Sequence, residues 1–206
     1  MYSISLSSAV LALSLSVHAQ NVIQPGAPGA PSASLPSSTR AEALPFSKAD
    51  IDFMQGMIMH HQQAVEMTAL IPSHTRSEKV RFLGRKISLS QSDEIRWMQN
   101  WLRARNQSVQ MQMTDMPGMS AADMMMPGML TPQQMDALRH ATGAKFDRLF
   151  LTGMIQHHGG ALTMVRDLFN APGTGQDPDL FTFATDVDNG QRAEIKIMQD
   201  LLKEIR

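Results

Sequence analysis

The chain has 206 residues, enough for one domain with a substantial core, and its 18 basic and 19 acidic residues give no surplus that would favour binding to nucleic acid. It contains no cysteine, which excludes disulfides, thiolate zinc sites, cysteine-ligated iron–sulfur clusters and cysteine nucleophiles. Because cysteine is absent, any soft-metal chemistry that uses sulfur has to use the thioethers of the 18 methionines.

The first 19 residues form an apolar segment that contains several serines and no charged side chain. The segment ends in a Val-His-Ala sequence that is typical of a cleavage site, although it lacks a basic start. Its apolar run is shorter than the roughly 20 residues of a membrane-spanning helix. We therefore predict a signal peptide over residues 1–19, cleavage near Ala19, export and no stable membrane insertion. An ordinary apolar N-terminal helix is the alternative.

Residues 20–46 are rich in proline, glycine, alanine and serine, and carry no charge before Arg40. This composition is typical of a flexible segment that lacks the apolar residues of a packed core. We therefore predict that residues 20–46 are a flexible leader and that the folded part of the chain is 47–206.

Two segments of the folded part each occur twice. The repeated pairs are DIDFMQGMIMHHQQAVEM (50–67) with DRLFLTGMIQHHGGALTM (147–164), and QSDEIRWMQNWL (91–102) with QRAEIKIMQDLL (191–202). Two matching pairs at nearly the same offset indicate an internal duplication, in which each copy contributes two helices.

Capping signals place the first two helices. Ser47, followed three residues later by Asp50, forms a capping-box pattern for the first helix. We predict that this helix runs to Ile71, where Pro72 stops it. Thr75, with an acidic residue three positions later, predicts the start of the second helix.

The same kind of signal places the helices of the second copy. Thr131 as N-cap, Pro132 at the first helical position and Gln134 three residues after the cap predict a long third helix that continues to about Phe169. Asp177, which is followed by proline, predicts the start of the fourth helix.

The connections between these helices determine the fold class. Short connections at 72–75 and 170–177 make neighbouring helices antiparallel, and two such hairpins bury their apolar faces by forming a four-helix bundle. We therefore predict an all-α fold, since no stretch shows sustained strand alternation. Its parts are repeat one (47–106), a methionine-rich linker (107–131) and repeat two (132–206).

Adjacent histidines, His60 and His61, follow Met57 on the first predicted helix. Residues three or four apart share a helix face, whereas adjacent ones do not, so Met57 can reach either histidine but the two histidines are not expected to chelate one ion together. Met54 extends the His61 side and Met67 lies further along the His60 side. The equivalent candidate ligands in repeat two are Met154, His157, His158 and Met164.

Folding each hairpin brings Glu94 near the first histidine motif and Glu194 near the second. Each glutamate is either a surface charge or an acceptor that orients a histidine N–H. Burying four imidazoles without partners would cost about 1–3 kcal/mol each, which favours metal binding over plain core packing. Two related sites, or one site shared at a pseudo-twofold axis, both fit the duplication.

The central segment MQMTDMPGMSAADMMMPGML (111–130) indicates which metal binds. Its prolines and glycines prevent the methionines from forming the apolar stripe of a core helix, so their thioethers are available as metal ligands. Thioethers favour Cu(I) or Ag(I) over zinc, magnesium or calcium. We therefore predict copper, with Cu(I) favoured and Ag(I) as a surrogate; a methionine-rich surface for partner proteins or an oxidant sink is the alternative. The candidate ligands here are Met111, Met113, Met116, Met119, Met124, Met125, Met126 and Met129.

The motifs FMQGMIMHHQQAVEM and FLTGMIQHHGGALTM, together with the two EIxxMQ segments, resemble an exported, helical, copper-binding family of CopM-like bacterial proteins, labelled as a domain of unknown function. The resemblance covers residues 47–206. It implies a ferritin-like four-helix fold, a periplasmic location and a role in copper binding and tolerance. It also implies that the matching histidines and methionines are the ligands.

The sequence thus predicts a non-enzymatic periplasmic protein that sequesters Cu(I) or transfers it to other copper-handling proteins, with the linker as a loose, low-affinity capture arm. A di-iron oxidase would need histidine three residues after Glu94 and Glu194, where the chain has Trp97 and Ile197. A copper oxidase and a metal-free interaction module remain alternatives. The oligomeric state is left open.

Overall fold

The structure is a computed structural model that describes residues 23–24, 31–36, 46–111 and 125–205. The predicted signal peptide therefore lies outside the described residues. The chain divides into two compact units, Met1–Ala43 and Leu44–Arg206. In the first unit, strand β1 (Ile23–Gln24) pairs antiparallel with strand β2 (Ala33–Ser34), a contact that the composition of the leader did not predict.

Six helices make up the described part of the second unit. They are α1 (Lys48–Ala69), α2 (Ile71–His74), α3 (Glu78–Ala104), α4 (Pro132–His140), α5 (Gly143–Asn170) and α6 (Pro178–Glu204). The long helices pack as two antiparallel hairpins, α1 with α3 and α5 with α6. The predicted all-α fold of two duplicated hairpins in a ferritin-like four-helix bundle is therefore confirmed. No helix in the described ranges is long and apolar enough to span a membrane.

The capping residues of three helices were predicted correctly. Ser47 and Asp50 form a reciprocal capping box, in which each side chain accepts a hydrogen bond from the other residue's backbone N–H. Thr131 and Gln134 form a second one at the start of α4. The Asp177 carboxylate accepts the backbone N–H of Leu180 at the start of α6. Each cap satisfies backbone donors that have no partner inside the helix.

Two predicted boundaries in the first hairpin were wrong. Helix α1 ends at Ala69, and Pro72 lies in the first turn of α2, where proline is tolerated because N–H groups there have no helical acceptor. The N-cap of α3 is Ser77 and not Thr75, whose hydroxyl instead accepts the backbone N–H of Ser77.

The third predicted helix is two helices in the structure. The backbone is extended at Ala141 and Thr142, and Gly143 begins α5 with φ +58°. The local signal for this break was Thr142, a residue type that favours N-cap positions, together with the glycine that follows it.

Helices α1 and α5 cross at their histidines. The ring of His60 lies on that of His157, with centroids 3.7 Å apart. Met164 on α5 reaches Gly56 on α1, and the repeat-equivalent Met67 on α1 reaches Gly153 on α5. The two helices are therefore antiparallel and related by a pseudo-twofold axis near the histidines, with one apolar cluster on each side of them.

Candidate metal centre

The four motif histidines, His60, His61, His157 and His158, lie together between the two apolar clusters and are fully buried. We call them the histidine quartet. The inner two are in contact across the pseudo-twofold axis, with their ring planes tilted by 34°. Within each motif the adjacent rings are farther apart, with centroids 6.3 and 6.2 Å from each other. The fold thus places both copies of the motif in one group.

The outer two rings are held by the repeat-equivalent glutamates. His61 Nε2 lies 2.6 Å from a carboxylate oxygen of Glu94, and His158 Nε2 lies 2.7 Å from one of Glu194. Both glutamates are partly exposed. Of the two interpretations that the sequence left open for these acids, the hydrogen bonds match the one in which each acid orients a histidine.

The inner two rings use backbone acceptors. His157 Nε2 donates to the carbonyl oxygen of His60 at 2.8 Å, and His60 Nε2 donates to the carbonyl oxygen of Pro127 at 3.0 Å. An oxygen acceptor requires an N–H donor, so the proton of a neutral ring stays on Nε2 and the lone pair on Nδ1. All four Nδ1 atoms are buried and have no hydrogen-bond partner in the described part of the chain.

Burial keeps the inner rings uncharged. Desolvation, aided by the neighbouring His61, lowers the pKa of His60 from its usual 6.5 to about 3. Desolvation, aided by His60, also lowers the pKa of His157 well below 6.5. Protons therefore do not compete for these two Nδ1 lone pairs at neutral or mildly acidic pH.

Thioethers flank the quartet on both sides. Met54 and Met57 are fully buried in one apolar cluster, where Met164 is 9% exposed, and Met67 and Met154 are fully buried in the other. These positions are all on α1 and α5, within two turns of the histidines. The predicted motif ligands are thus brought together around the crossing of the two helices.

The linker methionines lie outside the helices, and those in the described residues are found in two separate places. Residues 125–130 lie against α1 and α5, with Met125, Met126 and Met129 half-buried, whereas the half-buried Met111 follows the end of the first hairpin. Other candidate ligands, Met113, Met116, Met119 and Met124, lie outside the described residues. The prediction of a loose linker is therefore wrong for residues 125–130.

Specific contacts hold this segment, which we call the docked segment (125–130). The Pro127 carbonyl accepts the His60 N–H, and Gly128, with φ +75°, lies directly on Gly160 of α5. The Gln63 side chain accepts the backbone N–H of Leu130 at 2.6 Å and donates to its carbonyl at 3.0 Å. The sequence signal for this contact is a departure from the repeat, because Gln62-Gln63 in the first copy corresponds to Gly159-Gly160 in the second.

Two buried amides beside the quartet were not recognised as site residues from sequence. Gln91 and Gln191 occupy equivalent positions in the two repeats and are 1% and 4% exposed. Each lies one helical turn before the glutamate that bonds to an outer histidine of the quartet. Neither amide has a hydrogen-bond partner in the described ranges. Their recurrence in both copies was the available signal. They extend the region of buried polar atoms without partners beyond the imidazoles.

The donor set determines which ion the site fits. Within the described residues, no group of three or more histidine, cysteine, aspartate or glutamate side chains is arranged to hold one ion. The donors at the crossing are imidazole nitrogens and thioether sulfurs, a combination that suits soft Cu(I) or Ag(I). The residues present therefore fit copper.

Comparisons with known proteins agree with this fold. Residues 50–202 match the model of a family described as a domain of unknown function, DUF305. Two similar crystal structures are a DUF305 fragment from Deinococcus radiodurans (28% identity, 78% of this chain and 99% of that chain covered, TM-score 0.67) and a DUF305 protein from Streptomyces coelicolor described as secreted (32%, 76% and 93%, TM-score 0.64).

A third similar structure is that of CopM in a Cu(II)-bound form, with 27% identity, 75% of this chain and 96% of that chain covered, and a TM-score of 0.60. CopM is also known in Cu(I)-bound and Ag-bound forms, each with a TM-score of 0.57 to this chain. No curated protein matches the chain.

Proposed function

This chain belongs to the DUF305 family, and we propose that it is an exported copper-binding protein that holds Cu(I) through histidine Nδ1 atoms and methionine thioethers. The observation that carries the proposal is the set of four buried Nδ1 atoms without a partner. Leaving each of them unsatisfied costs about 1–3 kcal/mol, and a bound cation would offset that cost.

The hydrogen bonds of the quartet support a ligand role. Because Glu94 and Glu194 accept the Nε2–H of the outer rings, they fix the tautomer that leaves Nδ1 free and make that nitrogen more basic. Their carboxylates also supply the negative charge that thioethers and neutral imidazoles lack. A monovalent cation at the helix crossing would therefore be compensated at short range.

The chemistry of the donors supports Cu(I), with Ag(I) as its surrogate. Thioether sulfur carries no proton, and burial depresses the pKa of His60 and His157, so binding through these donors persists in a mildly acidic compartment. The similar protein CopM is known in Cu(I)-, Cu(II)- and Ag-bound forms. Those forms support copper as the ion bound by this chain.

The proposed role is binding without catalysis: sequestration that confers copper tolerance, or transfer of Cu(I) to other exported copper-handling proteins. Complete burial of the quartet supports retention of the ion, because the imidazoles are closed off from solvent. The predicted signal peptide and the secreted relative from Streptomyces coelicolor support a periplasmic or otherwise exported location.

The test is an anaerobic titration of the exported chain with Cu(I), in competition with a chromophoric Cu(I) chelator, alongside a titration with Zn(II). We expect tight Cu(I) uptake, weak Zn(II) uptake, and loss of the tightest Cu(I) binding in the double variant His60→Ala/His157→Ala. The exposed His140 provides the matched control, since His140→Ala should bind like the wild type. A folded wild-type protein that takes up no Cu(I) would refute the proposal.

A further inference from the structure

Two positions related by the duplication have different neighbours. Gly56 on α1 and Gly153 on α5 are equivalent in the repeat, as are Met164 and Met67. A Cβ placed on Gly56 would lie 3.5 Å from the Cε atom of Met164, and a Cβ on Gly153 would lie 3.3 Å from that of Met67. At both positions, therefore, a motif methionine covers a glycine of the opposite central helix.

The docked segment supplies a different side chain at each position. Met126 Sδ lies 3.1 Å from the Cβ position of Gly56, whereas a Cδ atom of Leu130 lies 2.9 Å from that of Gly153. On one side of the pseudo-twofold axis, Met164 and the thioether of Met126 lie at the same glycine. On the other side, Met67 and the hydrocarbon side chain of Leu130 lie at the equivalent glycine. The duplication is compatible with two related sites, and the docked segment makes the two equivalent positions different.

The position of Met126 is fixed by its neighbours in the chain. The next residue, Pro127, accepts the Nε2–H of His60, and Gly128 is packed on Gly160. His60 lies four residues after Gly56 and therefore on the same face of α1. Met126 is accordingly held beside the glycine that Met164 covers, and this glycine lies one helical turn before the histidine that is bonded to Pro127. It is not part of a freely moving arm.

We propose that the bundle has two unequal Cu(I) sites, and that Met126 completes the tighter one. The first site has three soft donors: the thioethers of Met126 and Met164 and the Nδ1 atom of His60. The second has Met67 and the Nδ1 atom of His157, because Leu130 occupies the place equivalent to Met126. This inference rests on the proposed copper binding. It adds that Met126 is the residue that makes the two sites unequal.

The test combines two substitutions that have opposite effects. Met126→Leu removes a donor with little change in volume, and Leu130→Met adds one at the equivalent place. We expect the wild type to bind a first Cu(I) tightly and a second more weakly. We expect Met126→Leu to weaken the first step by at least the roughly tenfold typical of losing a metal ligand's supporting partner. Leu130→Met should instead strengthen the second step.

A matched control and a second readout complete the experiment. Met59 on α1 is also half-buried and is not among the candidate ligands, so Met59→Leu should bind both ions like the wild type. With methionines labelled in the ¹³C-methyl group, the first equivalent of Ag(I) should shift the resonances of Met126 and Met164, and the second should shift that of Met67. Melting of the metal-free variants checks that each is folded.

The outcomes separate this inference from the proposed function. If the folded wild type takes up neither Cu(I) nor Ag(I), the proposed function fails and the unequal sites fail with it. If the wild type binds but Met126→Leu leaves the first affinity and the Met164 resonance shift unchanged, only the unequal sites are overturned. Equal affinities for both ions in the wild type would overturn them as well.

Discussion

Replacing Gly160 by alanine should destabilise the metal-free protein, even though alanine is a better helix former than glycine. A Cβ on Gly160 would lie 1.8 Å from the carbonyl oxygen of Pro127 and 2.6 Å from the Cα atom of Gly128. Both are backbone atoms that no side-chain rotation can move aside. The docked segment therefore has to leave α5.

The size of the effect follows from what the segment contributes. Its release leaves the buried Nε2–H of His60 without its acceptor, at a cost of about 1–3 kcal/mol. It also exposes Leu130, which is 4% exposed in the native protein, at a cost of about 1.5–3 kcal/mol. Alanine returns about 1 kcal/mol through its helix propensity. We expect Gly160→Ala to lower the free energy of unfolding by about 1.5–5 kcal/mol.

Urea denaturation of the metal-free protein, followed by circular dichroism, measures this change. The adjacent residue provides the control, because a Cβ on Gly159 would meet nothing within 4 Å. Gly159→Ala should therefore raise the free energy of unfolding by up to about 1 kcal/mol. If Gly160→Ala proves as stable as Gly159→Ala, the docked segment does not rest on α5 and the reasoning is wrong.

Three further predictions concern pH and two carboxylates. Burial depresses the pKa of both His60 and His157, so below pH 6.5 the unfolded chain binds protons that the folded chain does not, and stability falls as the pH drops. For His60 this loss continues down to its pKa of about 3. Urea curves should show an initial loss approaching about 1.4 kcal/mol per pH unit for each histidine, and identical curves at pH 7.5 and 5 would contradict this. Glu94→Gln should weaken Cu(I) binding about tenfold in a competition titration, because it removes a carboxylate charge that compensates the bound cation; unchanged affinity would count against that role. Asp50→Asn should lower the free energy of unfolding by about 1–3 kcal/mol, because the two carboxylate oxygens accept the backbone N–H groups of Gly175 and Ser47, and an amide, with one acceptor oxygen, leaves one of these donors unpaired; a thermal midpoint equal to that of the wild type would contradict this.

Local signals predicted much of the fold. Capping boxes at Ser47 and Thr131 and the cap at Asp177 are contacts over three residues, and each is present in the structure. The duplicated motif indicated two hairpins, and the family and fold matches confirm both the resemblance and the all-α bundle. These features depend on residues close together in sequence or on an internal copy, so a single sequence contains them.

The contacts missed from sequence depend on distant parts of the chain. The ring contact of His60 with His157 joins residues 97 positions apart, and the bond from His60 to Pro127 joins residues 67 positions apart. Helix periodicity places a histidine on a face but does not select the carbonyl that it meets. The docked segment was predicted to be loose because proline and glycine usually mark mobile connections, whereas here Gly128 and Gly160 allow close backbone contact.

The histidine ring nitrogens provide the most direct test of the central claim. A long-range ¹H–¹⁵N correlation spectrum of the metal-free protein should show His60, His61, His157 and His158 protonated on Nε2 and bare on Nδ1. Addition of Ag(I) should shift Nδ1 resonances within the quartet and split them by one-bond coupling to silver, while the Nε2–H signals remain. Silver coupling at Nε2, or Nδ1 resonances that stay unchanged in a folded and saturated sample, would contradict the account.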